Sequence, residues 1–217
     1  MTIAEKKITY FNEEFTLTNQ RVIYWEKEKA LILSDLHIGK SATFRKSGIP
    51  ISKGVLENDL LRLETLINHF KVETLLVVGD LFHAEFNQDI QFFIDWFSEK
   101  ENLKIELILG NHDRLSEKIY EKLCLAVYRE KITENKIRFV HDNVKISENE
   151  FTISGHTHPG VLLKGKAKQR IKLPCFQVTE NQLILPAFSN FTGLNMQSKP
   201  KDCISFGFTD ELIFEIN

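Results

Sequence analysis

The segment ALILSDLH, residues 30–37, is an apolar run of four residues that ends in a polar cluster. The same arrangement recurs at four later places: TLLVV-GD (74–80), KIELIL-GNHD (104–113), KIRFV-H (136–141) and FTIS-GHTH (151–158). Short apolar runs bounded by turn residues are typical of buried strands. Ligands of α/β proteins collect beyond the carboxyl ends of the strands. We therefore expect these five strand ends to form one site.

The segments between and after these runs predict the rest of the architecture. Val55–Phe70 and Asp89–Phe97 carry apolar residues at helical spacing, and Ser116–Leu123 predicts a short helix with Ser116 as its N-cap. Gly39–Lys53 is polar and is expected to be a loop. After residue 125 nearly every element is predicted to be a strand. The predicted fold is α/β, a layered αββα sandwich of two mixed sheets flanked by helices, in a single domain spanning residues 1–217.

Composition narrows the class of protein. The 217 residues are 42% apolar and 27% charged, which excludes a disordered chain. The formal charge of −2 excludes a globally basic nucleic-acid coat but not a local basic patch. The first ten residues lack the apolar segment that follows the charged residues of a secretory signal peptide. The three cysteines form no CxxC pair. We expect no secretory signal, no membrane span and a cytoplasmic protein.

The polar clusters contain the residue types that bind metal ions. Residues two apart in an extended chain point to the same side, so Asp35 and His37 can reach one ion, as can His156 and His158. Imidazole, carboxylate and amide groups suit first-row divalent metals. Seven candidate ligands occur: Asp35, His37, Asp80, Asn111, His141, His156 and His158. Seven side chains suffice for two ions that share one ligand, an arrangement that hydrolyses phosphate esters.

The ordered motifs Asp35-x-His37, Gly79-Asp80, Gly110-Asn111-His112-Asp113, His141 and Gly155-His156-x-His158 resemble those of the calcineurin-like metallophosphoesterases. The strings GDLFH (79–83), GHTHPG (155–160), LPCF (173–176) and LPAF (185–188) resemble the ligase-associated DNA damage response endonuclease branch, PdeM. The resemblance implies hydrolysis of phosphodiester bonds by a hydroxide that bridges two metal ions. It also implies DNA as substrate, in bacterial repair beside an ATP-dependent ligase and a helicase-like protein.

The resemblance also implies a role for each matching residue. A first ion would be held by Asp35, His37, Asp80 and His158, and a second by Asp80, Asn111, His141 and His156. His112 would be the catalytic histidine, and Asp113 the acidic residue that orients it. The ions are expected to be Mn²⁺, with Fe, Zn or Co as alternatives. Asp142-Asn143 after His141 departs from the branch, which favours a second His or a Pro there.

Four further residues are candidates for substrate binding: His83, Arg45, Lys164 and Lys166. His83 would lie at the mouth of the site, where packing is the alternative role. Arg45 lies in the expected loop after the first motif. Every second position from 164 to 172 is basic: Lys164, Lys166, Lys168, Arg170 and Lys172. On one extended strand these side chains would form a single basic face. That face could bind a phosphate backbone, or it could protect an exposed edge strand from aggregation.

Two other functions compete with DNA cleavage. A small-molecule phosphodiesterase or phosphatase, acting on a cyclic nucleotide or a nucleotide-linked lipid, would use the same metal site. A non-catalytic scaffold of the same fold would be expected to have lost ligands or the catalytic histidine. All seven candidate ligands and His112 are present, which argues against the scaffold.

Overall fold

Two sheets form the centre of the protein in a computed structural model that describes residues 1–52, 54–83, 85–142, 144–165, 169–197 and 199–216. The first sheet has seven strands in the order β1-β2-β3-β4-β5-β6-β7. Their bounds are β1 Glu5–Tyr10, β2 Glu13–Thr18, β3 Ile23–Trp25, β4 Ala30–Leu33, β5 Thr74–Val78, β6 Lys104–Ile108 and β7 Ala126–Tyr128. Strands β1 to β4 pair antiparallel, and β4 to β7 pair parallel. The sheet is therefore mixed, as predicted.

The second sheet contains the remaining strands, in the order β15-β14-β12-β13-β10-β9-β8, with β11 paired to β12. Their bounds are β8 Lys131–Ile132, β9 Ile137–Val140, β10 Phe151–Ser154, β11 Gly160–Lys164, β12 Arg170–Val178, β13 Gln182–Ile184, β14 Ile204–Phe208 and β15 Ile213–Ile216. Strands β9, β10 and β13 are parallel to one another. The sequence analysis predicted neither β8, which has only two residues, nor β11, whose apolar residues Val161, Leu162 and Leu163 are half-buried or exposed.

Four α-helices are described: α1 Lys40–Lys46, α2 Gly54–Phe70, α3 Gln88–Ser98 and α4 Glu117–Lys122. Helices α2, α3 and α4 confirm the predicted segments to within a few residues. The expectation of a loop throughout Gly39–Lys53 was wrong, because α1 occupies its first half. A residue outside α1 stabilises its first turn, because the Ala42 N–H donates to a carboxylate oxygen of Asp89 on α3 at 2.8 Å.

Two apolar cores hold the layers together. The helices pack on the outer face of the first sheet, where Leu60, Leu63, Ile90 and Phe93 are at most 2% exposed. The two sheets pack face to face through a second core that includes Phe15, Phe139, Phe151, Phe176 and Phe206. Burial of such side chains contributes about 1.5–3 kcal/mol each. The fold is thus the predicted sandwich of two mixed sheets with flanking helices.

The two sheets are joined at one edge. Ser34, just after β4, forms a parallel bridge with Ala187, which follows β13. Because β4, β5, β6, β9 and β10 all end near this edge, the five polar clusters of the sequence meet there. Within the described residues, no helix is long and apolar enough to cross a membrane.

Candidate metal centre and active site

A first group of candidate ligands lies at the end of β4. Asp35, His37 and His158 each offer one ligand atom, and these atoms lie within 4.8 Å of one another. The Nε2 atom of His158 is 3.0 Å from Oδ1 of Asp35, and Nε2 of His37 is 3.9 Å from the same oxygen. His158 comes from the second sheet, so this group already joins the two layers.

A second group lies beside it. Ligand atoms of Asp80, His141 and His156 also fall within 4.8 Å of one another. Nε2 of His141 is 3.4 Å from Oδ2 of Asp80. Asn111 extends this group, because its Oδ1 is 3.1 Å from Nδ1 of His156. The structure therefore brings all seven predicted ligand residues to one place.

Asp80 lies between the two groups. Its Oδ2 is 4.0 Å from Nε2 of His37 in the first group and 3.4 Å from Nε2 of His141 in the second. Its other oxygen, Oδ1, accepts a hydrogen bond from the backbone N–H of His112 at 2.9 Å. The carboxylate is thus oriented, and one of its oxygens faces both groups.

The backbone at these positions is unusual. Five of the seven candidate ligands have a left-handed φ: Asp35, His37, Asp80, His156 and His158, at 58°, 50°, 54°, 67° and 49°. Non-glycine residues rarely adopt this conformation, and clusters of it occur where function requires strain. Hydrogen bonds compensate, since the N–H of Asp35 donates to Gly79 O and that of His37 to Asp80 O.

Two glycines make room for the ligands. A Cβ atom on Gly79 would lie 2.0 Å from Nδ1 of His141, and one on Gly110 would lie 2.2 Å from Oδ1 of Asp80. Neither distance is possible for a real side chain. The glycines that precede the second and third clusters are therefore required by the close approach of backbone to ligand.

The charges at the centre favour a cation. Burial acts to raise the pKa of Asp80, but His141 and the backbone N–H of His112 outweigh it and lower the pKa to about 2. The pKa of Asp35 is also lowered, because His158 outweighs the effect of burial. Burial lowers the pKa of His37 to about 3, which keeps its imidazole neutral. Two carboxylates and a neutral imidazole form a suitable donor set for a divalent ion.

His112 lies next to the ligands and is packed against a further histidine. Its ring stacks on the ring of His83, with centroids 4.6 Å apart and planes 22° apart. Both rings also contact His37 edge-on, at 5.3 Å and 5.5 Å between centroids. His83 is therefore at the site, as expected, but its described contacts are with imidazoles.

Asp113 does not contact the imidazole of His112 through any hydrogen bond that the structure describes. Its Oδ2 accepts from the N–H groups of Asp80 and Gly110, at 2.8 Å and 2.9 Å, and its Oδ1 accepts from that of Phe82 at 2.8 Å. Burial raises its pKa to about 7, although these hydrogen bonds act to lower it. Asp113 thus holds the loops after β5 and β6 together, and its role in orienting His112 stays a prediction.

The other predicted substrate residues are less close to the ligands. Nη2 of Arg45 pairs with Oδ1 of Asp89 at 2.6 Å, so this arginine links α1 to α3, whereas its buried Nη1 has no hydrogen-bond partner among the described residues. Lys164 is exposed at the end of β11. Lys166 and Lys168 lie outside the described residues. The run from 164 to 172 is not one strand, because it spans the two arms of the β11–β12 hairpin.

Lys40 lies at this site but was not among the predicted residues. It follows His37 by three positions and its N–H donates to the carbonyl of His37 at 3.0 Å. Burial lowers its pKa, while the nearby carboxylates of Asp35 and Asp80 act to raise it. The only sequence signal was its place directly after the first motif.

Comparison with known proteins agrees with this geometry. Residues 29–166 match the calcineurin-like phosphoesterase family. The chain belongs to this family. It is therefore a metal-dependent phosphoesterase, a hydrolase, and the donor groups described above are its candidate metal ligands.

One solved structure is similar over nearly the full length of the chain. The crystal structure of nuclease MPE from Pseudomonas putida has a TM-score of 0.79 and 29% sequence identity, covering 94% of this chain and 96% of that one. Yfce, a phosphoesterase from E. coli, has a TM-score of 0.44 and 15% identity, covering 86% and 97%. No curated protein matches the chain.

Proposed function

We propose that this phosphoesterase is a two-metal phosphodiesterase that cleaves DNA. The observation that carries the proposal is the position of Asp80, whose Oδ2 faces an imidazole nitrogen of each ligand group at 4.0 Å and 3.4 Å. A carboxylate so placed can be shared by two ions, the arrangement used to hydrolyse phosphate esters. The 29% identity to a nuclease over 94% of the chain supports a nucleic-acid substrate.

The donor groups fit two divalent ions. Nδ1 of His141 lies 2.9 Å from the carbonyl oxygen of Val78, to which it can donate a proton. Although burial acts to lower it, the pKa of His141 is raised to about 9 by Asp80, so an ion would take the place of a proton on Nε2, a buried atom with no hydrogen-bond partner among the described residues. Such a hydrogen bond to the far nitrogen is characteristic of metal-binding histidines. Asp35, His37, Asp80 and His158 would hold one ion, and Asp80, Asn111, His141 and His156 the other, with Mn²⁺ as the proposed metal.

The remaining residues would act on the substrate directly. Two bound cations would supply a water of lowered pKa and would neutralise phosphoryl charge. His112 lies beside both groups and would stabilise charge on the phosphoryl or leaving oxygen, a contribution of about 10²–10⁴-fold. Asp113 would keep the backbone of Asp80 and Gly110 in place while this happens.

A basic face on the β11–β12 hairpin supports a polyanionic substrate. Lys164 lies opposite Arg170, and Leu162 lies opposite Lys172. Residues directly opposite in an antiparallel pair share a face, so these three cations lie on the same side of the hairpin. The hairpin begins two residues after His158, which connects this face to the metal centre. We propose that it binds phosphates of the strand that enters the site.

Purified protein with Mn²⁺ tests the proposal on bis-p-nitrophenyl phosphate and on single-stranded DNA. We expect both to be cleaved, and we expect Asp80→Asn or His112→Ala to lower kcat by about 10²-fold or more. Raising the salt concentration should weaken DNA cleavage steeply but affect the small ester little. Full turnover by both variants would refute the assigned roles. Activity on the small ester without any on DNA would instead favour a small-molecule phosphodiesterase.

A further inference from the structure

The edge of the metal centre carries a lysine whose ammonium group makes no direct ion pair within the described residues. Among the described residues, Nζ of Lys40 makes no hydrogen bond and no ion pair, although its side chain is half-buried. Its backbone is fixed, because its N–H donates to the carbonyl of the candidate ligand His37 at 3.0 Å. The carboxylates of Asp35 and Asp80 act on this ammonium group only over a longer distance, so its N–H donors remain available to a ligand.

An aromatic ring lies directly beside this cation. Nζ of Lys40 is 5.8 Å from the centroid of the Phe191 ring. Phe191 is held by an edge-on contact with Phe44 on α1, with centroids 5.5 Å apart. It follows Ser189, whose N–H donates to the carbonyl of Asp35 at 3.3 Å. Two separate segments of chain, each bonded to the backbone of a candidate ligand, thus place a cation and a partly exposed ring together.

A cation and an aromatic ring beside a phosphodiesterase centre match the two parts of a nucleotide. The cation suits a phosphate oxygen, and the ring suits the face of a base. The backbone of Lys40 is bonded to that of His37, whose ring contacts the rings of both His83 and His112 edge-on. A phosphate bound there would adjoin the scissile phosphate and would not replace it.

We propose that Lys40 and Phe191 form a subsite for the nucleotide that adjoins the scissile phosphodiester, with Lys40 on its phosphate and Phe191 under its base. The inference rests on the proposed function, and it narrows the substrate to one that carries a nucleotide next to the bond that breaks. The subsite would favour a single-stranded nucleotide chain over a small ester, because only the chain offers both groups.

The test compares bis-p-nitrophenyl phosphate, which has no flanking nucleotide, with a single-stranded octanucleotide. Lys40→Met should lower kcat/KM at least about fivefold more on the octanucleotide than on the ester, and Lys40→Arg should restore most of the loss. The slope of log(kcat/KM) against log salt should flatten by about 0.7 in Lys40→Met. Phe191→Leu should cost about 5- to 100-fold on the octanucleotide, and Phe191→Trp should recover it.

Controls separate this inference from the proposed function. Lys104 is exposed at the amino end of β6, far along the strand from the site, so Lys104→Ala should leave both kcat/KM and the salt slope as in the wild type. Equal losses on both substrates for Lys40→Met, or no loss on either, would overturn the subsite. If the wild type still cleaves DNA in that case, only the subsite is refuted and the proposed function is retained. An inactive wild type would refute both the subsite and the proposed function.

Discussion

His83 is a residue whose position suggests a role different from substrate contact. Its ring is stacked on His112 at 4.6 Å and touches His37 edge-on at 5.5 Å. Burial lowers its pKa, which favours the uncharged form of the ring. Its described contacts are those of a positioning residue, which fixes the plane of the proposed catalytic histidine.

Replacing His83 tests this role. Because small misplacements of a catalytic group are costly, His83→Ala should lower kcat on bis-p-nitrophenyl phosphate by about 10- to 100-fold with little change in KM. His83→Phe, which keeps a ring in the stack, should retain most of kcat. Steady-state kinetics on the three proteins measure both constants. A rise in KM with kcat unchanged would return His83 to the role of substrate contact that the sequence suggested.

Helix α2 stabilises a segment of backbone that borders the metal centre. Arg62 on this helix donates to the carbonyl oxygen of Phe188, and its guanidinium lies 4.1 Å from the centroid of the Phe188 ring. Asp59, one turn earlier, accepts from Nη2 of Arg62 at 3.0 Å. The N–H of Phe188 donates in turn to Ser34 O, next to Asp35. The ion pair on α2 therefore supports the backbone beside a candidate ligand.

Arg62→Ala should destabilise the protein strongly, because the 3% exposed Asp59 loses the cation to which it is hydrogen-bonded. Removing one partner of a buried pair costs about 3–5 kcal/mol of the free energy of unfolding. Denaturation by urea, followed by circular dichroism, measures this change. Arg129→Ala, at an exposed position, is the matched control and should shift the free energy of unfolding by no more than about 0.5 kcal/mol. A similar small shift for Arg62→Ala would disprove the supporting role of the pair.

The elements that the sequence predicted well are those with an apolar pattern of their own. Thr74–Val78 and Phe151–Ser154 match β5 and β10 residue for residue, because a run buried on both faces is visible without knowing its neighbours. Helix α1 has no apolar stripe and depends on Asp89, a residue 47 positions from Ala42, for a backbone hydrogen bond. The same distant carboxylate pairs with Arg45, whose role in substrate binding stays a prediction. Such long-range partners leave no local signal.

At the scale of the whole molecule, the convergence of the polar clusters was predictable and the details of contact were not. Parallel strands bring their carboxyl ends to one edge, which is why five separate motifs could be expected to meet. Whether Asp113 faces an imidazole or three backbone amides depends on loop geometry that spacing alone does not define. The pairing of Lys40 with Phe191 joins residues from the two halves of the chain, and neither residue belongs to a metal motif.

The candidate ligands also connect the two layers of the fold. Asp35 and Asp80 follow strands of the first sheet, whereas His141 and His156 follow strands of the second. One hydrogen bond already joins the two sheets here, because the N–H of His156 donates to Oδ2 of Asp35 at 3.2 Å. The buried carboxylates of Asp35 and Asp80 lie 3.9 Å and 4.0 Å from the same nitrogen, Nε2 of His37, so they repel each other, and a bound cation would remove that repulsion. Metal binding should therefore stabilise the packing of one sheet on the other.

Adding Mn²⁺ to protein stripped with a chelator should accordingly raise the melting temperature. A ligand at 100 times its Kd adds about 2.7 kcal/mol to the free energy of unfolding, which for a chain of this length corresponds to a shift of roughly 5–10 °C. Scanning calorimetry at increasing Mn²⁺ measures the shift. Asp80→Asn should abolish most of it, because both ligand groups lose their shared carboxylate, whereas His112→Ala should keep it, since His112 is not a proposed ligand. If the two variants gain equal stability from Mn²⁺, Asp80 does not hold the metal, and the link between the two sheets must depend on protein contacts alone.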